Sequence, residues 1–206
     1  MVTSFIELLG RFIIAVISGS GYAGIVLLMA IESACIPLPS EVIMPFSGFL
    51  VSTGRFNLWV VAVAGALGCN LGSLVAYYIG AWGGRPLVER YGRYALVSRH
   101  DLEMADRFFA RYGEWAVFIA RLLPVIRTFI ALPAGISRMN VWRFHLYTFL
   151  GSLPWCLALA YLGLKLGPRY TILREYFHRF DTVLGILMVA AVVWFVYDRW
   201  KNRLRA

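Results

Sequence analysis

Ile119-Ala-Arg-Leu-Leu-Pro-Val-Ile-Arg-Thr-Phe-Ile-Ala-Leu-Pro-Ala-Gly-Ile136 decides how this chain is read. The stretch is apolar enough to sit in a bilayer, yet it carries Arg121, Arg127, two prolines and a glycine. A charge at membrane depth costs about 2.5–3.5 kcal/mol on insertion scales and marks a site. Pro124 and Pro133 each lack a backbone N–H, so a single straight helix is not expected. Broken backbone at that depth has to be covered by protein or line a wet cavity. The expectation is a re-entrant helical hairpin that buries two arginines.

Composition agrees. Of 206 residues, 60% are hydrophobic and only 15% charged, with mean hydropathy +0.70; soluble domains carry about 25% charged residues. The net charge of +9 does not indicate nucleic-acid binding, because the basic residues flank apolar runs. In a membrane protein such residues set orientation and meet anionic headgroups. Cys35, Cys69 and Cys156 lie in apolar surroundings without metal-ligand spacing, so they read as small buried hydrophobes and no metal or cofactor is expected. No cleavable signal peptide is apparent, since Glu7 and Arg11 precede the first apolar run and no small-residue cleavage site follows it.

Outward from the opening stretch, the chain divides into five parts. Residues 1–31 are a head and first membrane helix, interrupted by Ser18-Gly-Ser-Gly21, which permits a bend or two shorter helices. Residues 32–82 hold a first hairpin, with Glu32, Pro37-Leu-Pro-Ser-Glu41, Pro45 and Gly48, and then a long apolar helix from Leu58. Ser40 is placed to cap a helix with Glu41 in its first turn. Gly65, Gly68 and Gly72 suit close helix contact. Residues 83–113 contain six arginines. Ser98 and Asp101 form a capping pattern there, ahead of an apolar stripe of Leu102, Ala105, Phe108, Phe109 and Tyr112. This part reads either as an amphipathic cytoplasmic connector at the membrane surface or as a helical hairpin packed on the bundle. Residues 114–167 hold the second hairpin and another transmembrane helix, with Pro154 a kink site; residues 168–206 hold a last transmembrane helix and a basic tail.

The two hairpin blocks resemble each other. Gly48 follows Pro37 by eleven positions, as Gly135 follows Pro124, and each block has a second proline, Pro45 or Pro133. Each is followed by a polar turn with Arg and Asn, and each long helix carries Tyr78-Ile-Gly80 or Tyr161-Leu-Gly163. Paired interrupted segments point to a transporter's binding site. With residues 83–113 and both termini in the cytoplasm, thirteen basic residues lie inside and five outside, which agrees with the positive-inside rule. The hairpins then enter from opposite faces. The expected fold is an all-α integral membrane protein: an inverted repeat of two re-entrant hairpins, transmembrane helices and an amphipathic connector.

These residues resemble the DedA family of bacterial inner-membrane proteins, related to the SNARE-associated or VTT-domain proteins. The resemblance spans roughly residues 20–170. Its specific part is Arg121-Leu-Leu-Pro-Val-Ile-Arg-Thr128 with Pro133-Ala-Gly135 and Met139; Glu32, Pro37 to Glu41, Pro45, Gly48, Gly151 and Trp155 also fit. It implies lipid transport in the bacterial inner membrane, above all of undecaprenyl phosphate, with acidic residues of the first hairpin and the arginine pair of the second as functional positions. These carry over to Glu32, Glu41, Arg121 and Arg127.

The chemistry is consistent with that. Guanidinium groups stay charged and offer forked donors to phosphate oxygens, so Arg121 and Arg127, with hydroxyls of Thr128 and Ser40, are the expected substrate-binding set. Glu32 and Glu41 are the candidates for coupling to proton-motive force. Pro37, Pro39, Pro45, Pro124, Pro133, Gly48 and Gly135 are expected to shape the hairpin breaks. A different reading gives Glu41 and Arg127 only a buried ion pair holding the hairpins together. Trp59, Trp142, Trp155 and Trp194 are expected at interfaces or between helices, and His145 as a packed side chain. No nucleophile–base arrangement is present, so an enzyme is not expected. The partners are a lipid phosphate and membrane lipids, not nucleic acid, with a homo-oligomer allowed. The alternatives are a phospholipid flippase or scramblase, or a proton- or sodium-coupled small-ion transporter.

Overall fold

Two asparagines start the two long helices. The computed structural model describes residues 2–34, 36, 38–83, 99–123 and 126–167. In chain order its helices are α1 (Val2–Ser20), α2 (Tyr22–Ser33), α3 (Ser40–Ser52), α4 (Leu58–Tyr78), α5 (Arg99–Leu122), α6 (Ile126–Phe129), α7 (Ala131–Ile136) and α8 (Val141–Leu166). A π-helical turn, Ile79–Gly83, extends α4. Asn57 Oδ1 accepts from the N–H groups of Trp59 at 2.9 Å and Val60 at 3.4 Å. Asn140 Oδ1 accepts from Trp142 at 3.0 Å and Arg143 at 3.3 Å. Each side chain satisfies two N–H groups that a helix start leaves orphaned. Asn57→Ala and Asn140→Ala should therefore each destabilise the protein by about 1 kcal/mol, read as a lower midpoint of thermal unfolding in detergent.

The two caps belong to one repeat. Asn57 and Asn140 are 83 positions apart, and so are Trp59 and Trp142, Gly68 and Gly151, and Gly80 and Gly163. With its π turn, α4 is 26 residues long and predominantly apolar, and α8 is also 26 residues long. At 1.5 Å per residue each is about 39 Å long, enough to cross a core of about 30 Å. Trp59, Val63, Leu67, Leu71, Val75, Ile79 and Trp82 recur every three or four residues along α4 and are all exposed. A continuous apolar stripe of that length facing outward suits lipid rather than water.

Helices α2, α3, α5 and α7 pack on α4 and α8 through glycines. Gly65 of α4 lies against Met44 of α3 and Cys156 of α8. Asn70 bonds His145 through both its amide groups, and Tyr77 stacks with Phe144. Rising numbers on α4 meet falling numbers on α8, so the two are antiparallel and their asparagine caps lie at opposite ends. Against α4, Gly68 meets Val26 and Gly72 meets Ala30, so α2 runs alongside in the same direction. Against α8, Glu114 meets Arg143, Trp115 meets Tyr147 and Phe118 meets Gly151, so the second half of α5 also runs with its own long helix. The hydroxyl oxygen of Tyr22 accepts from the backbone N–H of Asn57 at 2.8 Å, which puts the start of α2 beside the start of α4. The chain between them must therefore return, and α3 is the return. In the second half, α6 and α7 do the same.

Both first arms begin at a glycine that only glycine can fill. Gly21 has φ 61° and ψ −133°, and Gly113 has φ 54° and ψ −139°, a region essentially closed to residues with a Cβ. Gly21 makes residues 2–33 two helices rather than one bent one. At 12 residues, α2 is about 18 Å long and too short to span alone. Gly113 divides α5 into two helical stretches.

Several local expectations need correcting. Ser40 does not cap α3: Pro39 occupies the N-cap position without a side-chain bond, because the Ser40 hydroxyl is engaged by Arg127. Pro45 lies inside α3 and does not interrupt it. Only one backbone bond is lost there, and its carbonyl is held tightly against Gly163 of α8. Gly48 and Gly135 are not breaks but points of closest approach, to Ala160 of α8 and Tyr77 of α4. Pro133 does coincide with the interruption between α6 and α7, where it withholds a donor from the carbonyl of Phe129. Pro37, Pro124, Cys35, the Ser98 cap, the side chains of Leu102, Ala105 and Phe108, and everything from residue 168 onward, including the last transmembrane helix and Trp194, lie outside the described residues.

Candidate functional site

The ends of the short helices converge where the two halves meet. Glu32 is the penultimate residue of α2, Ser40 the first of α3, Arg121 the penultimate of α5, and Arg127 the second of α6. All four are buried, with Arg121 1% and Arg127 5% exposed. Arg127 Nη2 donates to Glu32 Oε1 and to Ser40 Oγ. Glu32 Oε2 accepts a 3.4 Å bond from Ser33. The Arg127 guanidinium also lies 5.3 Å from the centre of the Trp155 ring on α8, a cation–π arrangement. One arginine thus ties α2, α3 and α6 to α8.

Arg121 is held differently. Its Nη2 donates to Ser73 Oγ of α4, and Ser73 donates onward to the carbonyl of Cys69 at 2.5 Å. Its stem crosses Gly151 of α8, where an added Cβ would come within 2.7 Å of Arg121 Cβ. No carboxylate bonds Arg121 among the described residues. The two guanidinium groups are close enough for their charges to act on each other and on Glu32. Two buried positive charges therefore share one buried carboxylate.

Glu41 does not take the place expected of it. The buried partner of Arg127 is Glu32, not Glu41. Glu41 sits half-buried in the first turn of α3, near enough for its charge to reach Arg127 and Glu32. The reason is helical: Ser40 and Glu41 point about 100° apart, and the side facing Arg127 is taken by the serine. Thr128 follows Arg127 on α6 and is half-buried.

Three polar atoms, one on Arg121 and two on α8, are fully buried with no hydrogen-bond partner among the described residues: Arg121 Nε, Thr148 Oγ1 and Trp155 Nε1. Buried polar groups are nearly always paired, at a cost of about 1–3 kcal/mol when they are not. The arrangement is thus rich in donors and poor in acceptors, which suits an anion.

Residues 38–165 match the VTT domain family over more than half of the chain. The chain belongs to the VTT-domain (DedA) family. Among relatives of this VTT-domain protein, an uncharacterized membrane protein YkoX of Bacillus subtilis is 40% identical over 182 residues, 88% of this chain and 80% of its own. Undecaprenyl phosphate transporter A of Bacillus subtilis is 35% identical over 176 residues, 85% of this chain and 87% of its own. An alkaline phosphatase-like protein of Lactococcus lactis is 32% identical over 204 residues, covering 94% of this chain and 95% of its own. No solved structure matches.

Sequence reading missed Ser73, Thr148 and the part played by Trp155. Ser73 and Thr148 are unremarked small polar residues in apolar helices, a type that also serves ordinary helix packing. Trp155 had a usable signal. It lies four residues after Gly151, on the side of α8 that must face the first arm of the second hairpin. Trp59 and Trp142, 64% and 83% exposed, follow the asparagine caps at the two ends of the antiparallel pair.

Proposed function

We propose that this protein carries undecaprenyl phosphate, or a closely similar lipid phosphate, across the bacterial inner membrane. Two hairpins enter from opposite faces, both termini are cytoplasmic, and the charged ends meet near the middle of the bilayer. The observation that carries this reading is Arg121: a buried guanidinium whose bonded partner among the described residues is only a serine hydroxyl. A lone buried charge is costly and neutralises or finds a counter-ion, and arginine does not give up its proton. A phosphate head supplies the missing negative charge, while its polyprenyl tail stays in lipid.

Arg127 then provides the exchange step. Its fork is occupied by Glu32, and an arriving phosphate dianion competes for the same donors. Protonation of Glu32 removes the competitor; its deprotonation restores the ion pair and expels the head. Coupled to a proton gradient, that cycle gives direction to transport. Glu41, at the half-buried margin, is placed to pass the proton. Thr128 is proposed as an auxiliary hydroxyl donor. The relative named a transporter of undecaprenyl phosphate supports the substrate class. The name alkaline phosphatase-like points to a different chemistry: the carboxylate of Glu32, which Ser33 bonds at 3.4 Å, is already engaged by Arg127 and is not free to act as a base.

Purified protein in vesicles with a proton gradient, assayed for movement of polyprenyl phosphate between leaflets, tests this. Arg121→Gln should reduce the rate by at least about tenfold with the fold retained. Ion flux without lipid movement supports the small-ion transporter instead, and equal movement of phosphatidylglycerol supports a general flippase. Wild-type rates in Arg121→Gln reject the site.

A further inference from the structure

The three unpartnered atoms lie along one stripe. Thr148, Gly151 and Trp155 are spaced three and four apart, so they share a face of α8. The stem of Arg121 crosses that face at Gly151, between the threonine and the tryptophan. Arg121 and Thr148 are 1% and 0% exposed. Trp155 is half-buried but its Nε1 is covered. Arg121 Nε and Trp155 Nε1 are donors only; the Thr148 hydroxyl can donate.

We propose that this face of α8 is the part of the site that selects a phosphate monoester over a phosphodiester, with Thr148 and Trp155 as its specificity-determining residues. The inference rests on the lipid-phosphate reading above. A monoester head presents three non-bridging oxygens, and a diester presents two. Arg127 and the Nη side of Arg121 suffice for two. A third oxygen turned toward α8 meets Arg121 Nε, flanked by the Thr148 hydroxyl on one side and the Trp155 N–H on the other. A diester places a second ester substituent at that position, against donors that it cannot satisfy as well. Trp155 therefore has two roles on opposite aspects of one ring. Its face steadies Arg127, and its edge donates to the ligand.

Thr148→Val and Trp155→Phe test this: valine keeps the shape of threonine and removes the hydroxyl, while phenylalanine removes the indole N–H and keeps a smaller ring beneath Arg127. The readout is the thermal shift of the purified full-length protein in detergent, titrated with farnesyl phosphate or with phosphatidylglycerol. Without ligand, Thr148→Val should unfold at or above the wild-type temperature, since an unsatisfied buried group has been removed; Trp155→Phe also loses ring volume and is read on ligand binding alone. With farnesyl phosphate, each should bind about tenfold more weakly, and with phosphatidylglycerol within about twofold of wild type, so that the preference collapses. Unchanged farnesyl phosphate binding in both variants, while Arg121→Gln abolishes it, overturns this inference and leaves the transport reading standing. Lower ligand-free stability in Thr148→Val assigns its hydroxyl to packing and overturns it too. Wild-type protein that fails to bind farnesyl phosphate overturns both.

Discussion

Arg127→Ala abolishes transport and destabilises the protein by about 3–5 kcal/mol, the usual consequence of stripping one partner from a buried ion pair. Glu32 is then left 5% exposed with only the 3.4 Å bond from Ser33, and Ser40 loses its donor. The double variant Arg127→Ala, Glu32→Gln separates structure from function. Removing both charges should restore most of the stability, because the uncompensated carboxylate is gone. Transport should stay absent, because the phosphate has lost one of its two guanidinium groups. Stability is read from unfolding in mixed micelles and transport from the vesicle assay. Recovered transport in the double variant would mean that the ion pair only holds the hairpins together.

Gly48→Ala and Gly135→Ala should each cost about 3 kcal/mol or prevent folding, the upper end of overpacking in a close-packed interior. The added Cβ would stand 1.9 Å from the carbonyl oxygen of Ala160 in the first case and 2.0 Å from that of Tyr77 in the second. Backbone obstructs both, so no side chain can turn aside and the helices must part. The reciprocal contacts are tight too: a Cβ added at Gly163 would stand 2.0 Å from the carbonyl oxygen of Pro45, and one at Gly80 2.4 Å from that of Leu132. Each hairpin's returning arm is thus clamped to the long helix of the other half by a pair of glycines. Gly19→Ala is the control. Nothing lies within 4 Å of its added Cβ, so it should leave stability unchanged or raise it by up to about 1 kcal/mol through helix propensity. Unfolding midpoints in detergent distinguish these outcomes; a neutral Gly48→Ala would show that α3 and α8 are not in contact.

The exchange of arms between halves could not be read from the chain. Prolines, glycines and charges at matching positions announced two similar blocks, and the asparagine–tryptophan starts of both long helices follow from local capping chemistry. Which long helix each returning arm would touch depends on contacts between Gly48 and Ala160, or Gly135 and Tyr77, that are over 50 residues apart in the chain. The pairing of Arg127 with Glu32 was hidden for the same reason. Glu41 is the nearer match by repeat position, and only the rotation of α3 turns it aside in favour of Ser40.

Composition and periodicity alone determined that the chain is a helical membrane protein with two interrupted charged segments, because hydropathy, proline chemistry and the cost of intramembrane charge act residue by residue. The tertiary structure alone decided that Arg127 has a carboxylate while Arg121 has a hydroxyl, and that α8 contributes donors to the site. Those outcomes depend on how helix ends from both halves are rotated and stacked, and no local preference carries that information.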